Sequence, residues 1–362
     1  MKSKQKSSNH RNGVISLLKF IFSLIIVIYH GKKLSGTGKF KIVPLGYITV
    51  DFFFIVSGYY FYKSILKLKE KKNINIYKEN ILMITNKLKK FLPYILIAGI
   101  LNIIFFIFLQ KISPSEVVMS VFNIFLVDMT GLTGYTINGP IWYISSMLIV
   151  FFILCPIIYK DHEKYSYYIC PIIILFGLGY MYKNYSSLDL YRSAWNKLFY
   201  AGTIKSFVEI NIGILVYNLS ETFKKKILNK SNKFIITMNI LYVAMFLFSI
   251  VLILIYKRKG TIDYFILLVI TLALILVFID EKLSKKMDTK FIRYLEKLSL
   301  PIFINQRLFL EILCIIGSAY SLHFLLSLLL YVTSTIIFSI IELYVMDRIK
   351  RRNNNKKCQL IN

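Results

Sequence analysis

Ten apolar blocks, each about the length a helix needs to cross a bilayer's ~30 Å hydrocarbon core, most constrain what this chain can fold into. They fall at 14–30, 44–66, 91–110, 140–159, 166–182, 200–219, 234–256, 262–280, 299–319 and 322–346. Hydrocarbon offers a backbone no hydrogen-bond partner, so only helices and closed barrels span it. Barrel strands are shorter and alternate in polarity, and these blocks do neither. The expectation is an all-α, polytopic membrane helical bundle of ten spans, forming a single transmembrane domain over 1–362. An eleventh block, 117–129, holds thirteen residues, which suits a re-entrant or interfacial helix.

Charge sets the orientation. The net charge is +28, a balance that raises nucleic acid as a partner. The Lys and Arg lie between apolar blocks, however, and no soluble segment is long enough to bind nucleic acid. Ten spans with both termini cytoplasmic put 31 of the 46 basic residues on the inner side and 11 on the outer, as the positive-inside rule requires. The basic tails 1–13 and 347–362 are then cytoplasmic and drawn to anionic membrane lipid. Counting 117–129 as a span would place "KKKILNK" and "RIKRRNNNKK" outside. The basic start before the first block, with no small-residue cleavage site, reads as an uncleaved signal-anchor. The cysteines show no metal-ligand or CxxC spacing, and no metal is expected.

Four basic residues fall inside spans: Lys19, Lys63, Lys205 and Arg307. Lys63 can snorkel to the inner interface. For Lys205, snorkelling and function stand level. Arg307 has Glu311 one turn on, close enough for an intrahelical pair. Lys19 and His30 are eleven positions apart, three turns plus about 20°, and so share one face about 16 Å apart. Intramembrane charge is expensive and usually faces a cavity or a partner. Asp51 opens the second span at the outer end, where His30 also ends, so a carboxylate there could orient the imidazole as a general base. Lys87 and Lys90, three apart on a helical turn at the inner surface, suit a phosphorylated soluble ligand, although the positive-inside rule also accounts for them. The outer loop "KNYSSLDLYRSAWNKLFY", with Arg192 and Trp195, has the composition of a sugar-contacting surface and equally of an interfacial aromatic belt. His10 and His162 read as solvated loop residues, and His323 as an interfacial one.

Several stretches together resemble the integral-membrane acyltransferase family 3. They are a basic residue, ten residues and a His in the first helix; "FFFIVSG" in the second; a basic pair three apart in "KLKKFLPY"; and "GPIWYISSMLIVFFILCPIIY", with Trp142 at the Trp of a Gly-x-x-Trp helix. They cover 11–160 in order. The later half adds "SLPIFINQ", where members often carry S-x-x-I-Y-L-x-H. The resemblance implies an acyl-CoA-dependent O-acyltransferase, moving an acetyl group from cytoplasmic acetyl-CoA to a hydroxyl of a cell-surface or lipid-linked polysaccharide, in a bacterial-type cytoplasmic membrane. It assigns Lys19 and His30 as the functional pair of the first helix, and Lys87 and Lys90 as stand-ins for two donor-side arginines. Trp142 joins Arg192 and Trp195 on the acceptor side.

The chain also departs from the family pattern. Ser16 stands where Asp is common, Met147 where many members have Glu, and Gln306 where the terminal His falls. A carboxylate relay is thereby lost, leaving Asp51 as the expected orienter of His30. The rival function is a secondary transporter or flippase for an envelope precursor, which also uses rare intramembrane charge. Against it, the two halves show no matched Gly/Pro-broken helices.

Overall fold

A computed structural model describes residues 11–36, 42–71, 74–132, 136–191, 194–196, 198–227 and 231–359, with side chains to 353. The helices are α1 (Gly13–His30), α2 (Thr49–Lys69), α3 (Ile76–Phe108), α4 (Pro114–Ile124), α5 (Ile141–Lys160), α6 (His162–Lys164), α7 (Cys170–Tyr185), α8 (Ala201–Ile227), α9 (Asn232–Ile255), α10 (Thr261–Ile279), α11 (Lys282–Lys286), α12 (Lys290–Ala319) and α13 (Phe324–Gln359). A π-helical turn, Tyr165–Ile169, joins α6 to α7. The ten expected spans correspond to the ten long helices of this series.

Eight helical segments are long and apolar enough to cross a membrane, with α1, α3, α5, α7, α9, α10, α12 and α13 at their centres. The two long helices that fall short, α2 and α8, are diluted by charge: Asp51, Lys63, Lys67 and Lys69 in one, Lys205, Glu209 and Glu221 in the other. Their polarity has a structural reason, because they pack against each other in the interior. A Cβ added at Gly58 would meet the Ile210 carbonyl oxygen at 2.2 Å, and one at Gly213 the Ile55 carbonyl oxygen at 2.1 Å. Only glycine lets the two backbones approach this closely. Around this seam, Phe52, Phe54, Ile55, Phe151, Ile210, Ile214 and Ile270 are fully enclosed. The outer helices show the opposite pattern. Leu175 and Phe176 on α7, Ile240 and Leu247 on α9, and Leu325, Leu329 and Ile337 on α13 are exposed, as a lipid-facing surface requires.

Local signals set most ends. The Asn12 side chain accepts from the Ile15 amide at 3.0 Å and starts α1. Ser113 and Glu116 form a capping box on α4. At eleven residues α4 is about 16 Å long, too short to span, in keeping with the expected re-entrant or interfacial helix. Two boundaries differ from expectation. Helix α3 begins fifteen residues ahead of its apolar block and α12 nine residues ahead of its own, because each carries an amphipathic extension that hydropathy alone does not register. A short antiparallel pairing, Trp195 with Tyr200 and Asn196 with Phe199, adds strand to a loop expected to lack it.

The start of α1 and the α2–α3, α8–α9 and α10–α12 connections carry the basic runs, and this side is called the basic end below. Replacing Gly213 by Leu is expected to force α2 and α8 apart and lower the thermal midpoint by several degrees, since overpacking costs about 1–3 kcal/mol. Gly179→Ala, where nothing lies within 4 Å of the added Cβ, is the neutral control. Scanning fluorimetry of the purified chain in detergent reads both.

Candidate active site

Among the described residues, two cavities enter the bundle, one from each end. The first, of about 480 Å³, opens at the basic end between Arg11, Lys87, Lys90, Glu296 and Lys350. Its wall then follows α2 inward through Tyr60, Ser57 and Phe53 to Val50, ten residues or about 15 Å along the helix. Tyr143, Met147 and Phe303 complete its inner, largely apolar part. The Ser57 and Tyr143 hydroxyls lie 3.1 Å apart there, a polar pair within an apolar wall.

Lys19 lines this cavity, as do Lys87 and Lys90. The extended α3 carries the last two into the mouth, with Lys87 Nζ 5.0 Å from the centre of the Phe151 ring. Lys19 is held by a residue that sequence reasoning missed: its Nζ donates to Glu296 Oε1 at 2.7 Å. Ser16 Oγ donates to the other oxygen of the same carboxylate at 2.8 Å, and Arg11 approaches it at 3.6 Å. The sequence signal was one of three acids, with Glu281 and Asp288, among the basic residues ahead of the ninth block. It was unreadable while that stretch counted as a loop, because only the early start of α12 turns Glu296 toward α1. Ser16, in the place of the common Asp, thus finds its carboxylate on another helix.

The second cavity, about 640 Å³, opens at the opposite end and contains His30. Lys32 and Lys33, from the 3-10 turn Gly31–Ser35 that continues α1, line it with Lys257 and Lys259 from the α9–α10 loop and Arg307 from α12. The expected intrahelical pair forms, with Arg307 Nη2 3.0 Å from Glu311 Oε1; Lys33 meets the same oxygen at 2.6 Å. Phe303 lines the first cavity and Arg307 the second, one turn or about 6 Å apart on α12. Gln306, at the terminal-His position, is buried in that turn and donates to the Phe303 carbonyl at 2.8 Å.

Asp51 stands elsewhere than expected. Its carboxylate faces Lys205 Nζ at 2.5 Å, and no contact joins it to His30 among the described residues. The reason is helix pairing: α1 packs chiefly against α12, whereas α2 turns its Asp51 face toward α8. Lys205 also donates to the Leu188 carbonyl at 2.7 Å and lies 3.8 Å from Glu209. With 1% of its surface exposed, Lys205 does not snorkel. Next to this cluster, Asp263 on α10 accepts from the Tyr47 hydroxyl at 2.7 Å and from the Leu188 amide at 2.9 Å.

Trp142 lines neither cavity. Its ring packs against Phe54 at 5.8 Å and covers Gly202, while its neighbours Tyr143 and Met147 reach the first cavity. Trp195 lies in the strand pair, exposed, with its ring on Tyr200 at 4.9 Å and over Gly131, also outside both cavities. Arg192 and His10 fall outside the described residues. His162 Nδ1 lies 3.0 Å from Lys69 Nζ at the basic end, and His323 is exposed at the start of α13.

Lys205→Met is expected to destabilise the bundle by about 3–5 kcal/mol, because it leaves two buried carboxylates without their cation. The double change Lys205→Met with Asp51→Leu should recover part of that loss. Thermal unfolding in detergent measures both, and a single variant as stable as wild type would exclude a structural role for the cluster.

Comparison with known proteins agrees with this architecture. A family model described as an acyltransferase domain, that of acyltransferase family 3, matches residues 12–343. No curated protein and no solved structure matches the chain. The match covers most of the chain, and the chain is a member of acyltransferase family 3, an integral, multi-pass membrane acyltransferase.

Proposed function

We propose that the chain transfers an acetyl group from acetyl-CoA to a hydroxyl of a cell-surface or lipid-linked polysaccharide, with His30 as general base. The observation that carries this reading is the pair of opposed cavities separated by one turn of α12. In this reading the donor enters from the basic end, which the charge bias of the loops assigns to the cytoplasm of a bacterial-type cell. Lys87 and Lys90, aided by Arg11 and Lys350, meet the CoA phosphates as point charges. The flexible thiol arm lies along the apolar wall toward Val50 and Phe303, and the thioester reaches His30 past the Phe303–Arg307 turn. The glycan approaches from the other end.

The chemistry then needs few groups. The acceptor oxygen attacks the thioester carbonyl carbon as the neutral imidazole of His30 takes its proton. The tetrahedral adduct collapses with cleavage of the C–S bond, and the CoA thiolate leaves with the proton returned by the imidazolium. Lys19, fixed by Glu296, lines the donor's path and contributes positive charge to it. Asp51 has no part in orienting His30 here, since its carboxylate belongs to Lys205.

Release of free CoA by the purified chain in lipid nanodiscs, supplied with acetyl-CoA and envelope glycan, tests the reading. His30→Ala is expected to lower turnover by about 10²–10⁴-fold with an unchanged thermal midpoint. Wild-type turnover in that variant would remove the general base. Lys87→Gln and Lys90→Gln are each expected to raise the KM for acetyl-CoA about tenfold, the effect of losing one charge-assisted contact. An unchanged KM would move the donor to another site.

A further inference from the structure

The His30 cavity carries charge that membrane topology does not explain. Basic residues at the basic end follow the topogenic bias, but this cavity opens at the other end, whose loops hold 11 Lys and Arg against 31. Four of those eleven, Lys32, Lys33, Lys257 and Lys259, nevertheless line this one cavity, and Arg307 joins them from α12. They converge from three separate elements rather than from one exposed loop.

Few carboxylates answer them. Asp189 pairs with Lys259, and a single Glu311 is shared between Lys33 and Arg307. Lys32 lies over the Tyr29 ring at 3.6 Å, and Lys257 has no carboxylate partner among the described ion pairs. Among the described residues, five cations against two carboxylates leave three positive charges in surplus around the imidazole. Such a concave, single-sign site attracts and retains an anion.

We infer that the acceptor is an anionic glycan, one that carries phosphodiester or carboxylate groups beside the hydroxyl to be acylated. The inference rests on His30 serving acyl transfer, because that reading places the acceptor in this cavity. An anionic lipid headgroup offers the same charge. Lysines on the bundle's rim would be enough to hold one, whereas these cations line the cavity that holds His30.

The test measures binding to the full chain in zwitterionic nanodiscs, using a poly(glycerol phosphate) oligomer and a neutral dextran of similar length. Wild type is expected to bind the phosphate oligomer, and raising NaCl from about 0.05 M to about 0.5 M should weaken it. The Lys32→Gln, Lys257→Gln double variant should bind about tenfold more weakly, and the dextran more weakly still. Equal binding of dextran, or a double variant that binds like wild type, overturns the inference. So does loss of oligomer binding when phosphatidylglycerol is added to the nanodiscs, which would make the cavity a headgroup site. CoA release separates the two readings. Release that is as fast with dextran as with the phosphate oligomer sinks the anionic acceptor and leaves transfer intact. Charge-dependent binding with no release from any glycan keeps the anionic site and sinks transfer.

Discussion

The contact between α2 and α8 holds the bundle to one arrangement. Gly58 and Gly213 let the two backbones touch, and that closeness allows Lys205 to reach Asp51 across the seam while Glu209 lies one turn further along its own helix. Charged groups in a membrane interior need partners or water, so these helices cannot rotate independently without stranding a charge. Helices α5, α7 and α10 close around the seam. On their other faces α2 and α5 join α1, α3, α12 and α13 in framing the first cavity, and α1 and α12 reach the second.

That division separates stability from chemistry. The buried ion cluster is sealed and neither cavity reaches it. The groups that line the cavities are of another kind: Lys19 and Glu296 are a quarter and a fifth exposed, and the cations beside His30 are half-buried to exposed. Solvated groups of this sort can exchange a protein partner for a ligand at modest cost, which a sealed pair cannot do. The single turn of α12 between Phe303 and Arg307 gives the fold a point where two opposed compartments come close without merging. Transfer between a soluble donor on one side and an acceptor on the other requires such a point.

Much of this was legible in the sequence. The long helices follow from block length, and α4 from a block too short to span. The Lys19–His30 relation was readable because both residues lie on one helix, whose geometry is known in advance. The same holds for Arg307 and Glu311, and for Lys87 and Lys90. Glu296 escaped notice because its stretch is amphipathic, so its hydropathy resembled that of a loop until α12 was seen to begin at Lys290. Asp51 meets Lys205 rather than His30 because α2, although it touches α1 through Phe52 and Phe22, turns its Asp51 face toward α8.

Apolar block length, the bias of the basic loops and the spacing of residues within one helix are local properties, and the sequence determined them: a polytopic helical bundle, its expected orientation, and a first helix with a lysine and a histidine on one face. Tertiary structure alone decided which charges meet. Asp51 found Lys205, Lys19 found Glu296, and lysines from two loops gathered with Arg307 around His30. The reason is that such pairings depend on how each helix is rotated about its own axis. For helices enclosed on most sides, hydropathy is similar in every direction, and only close packing against particular neighbours fixes that rotation.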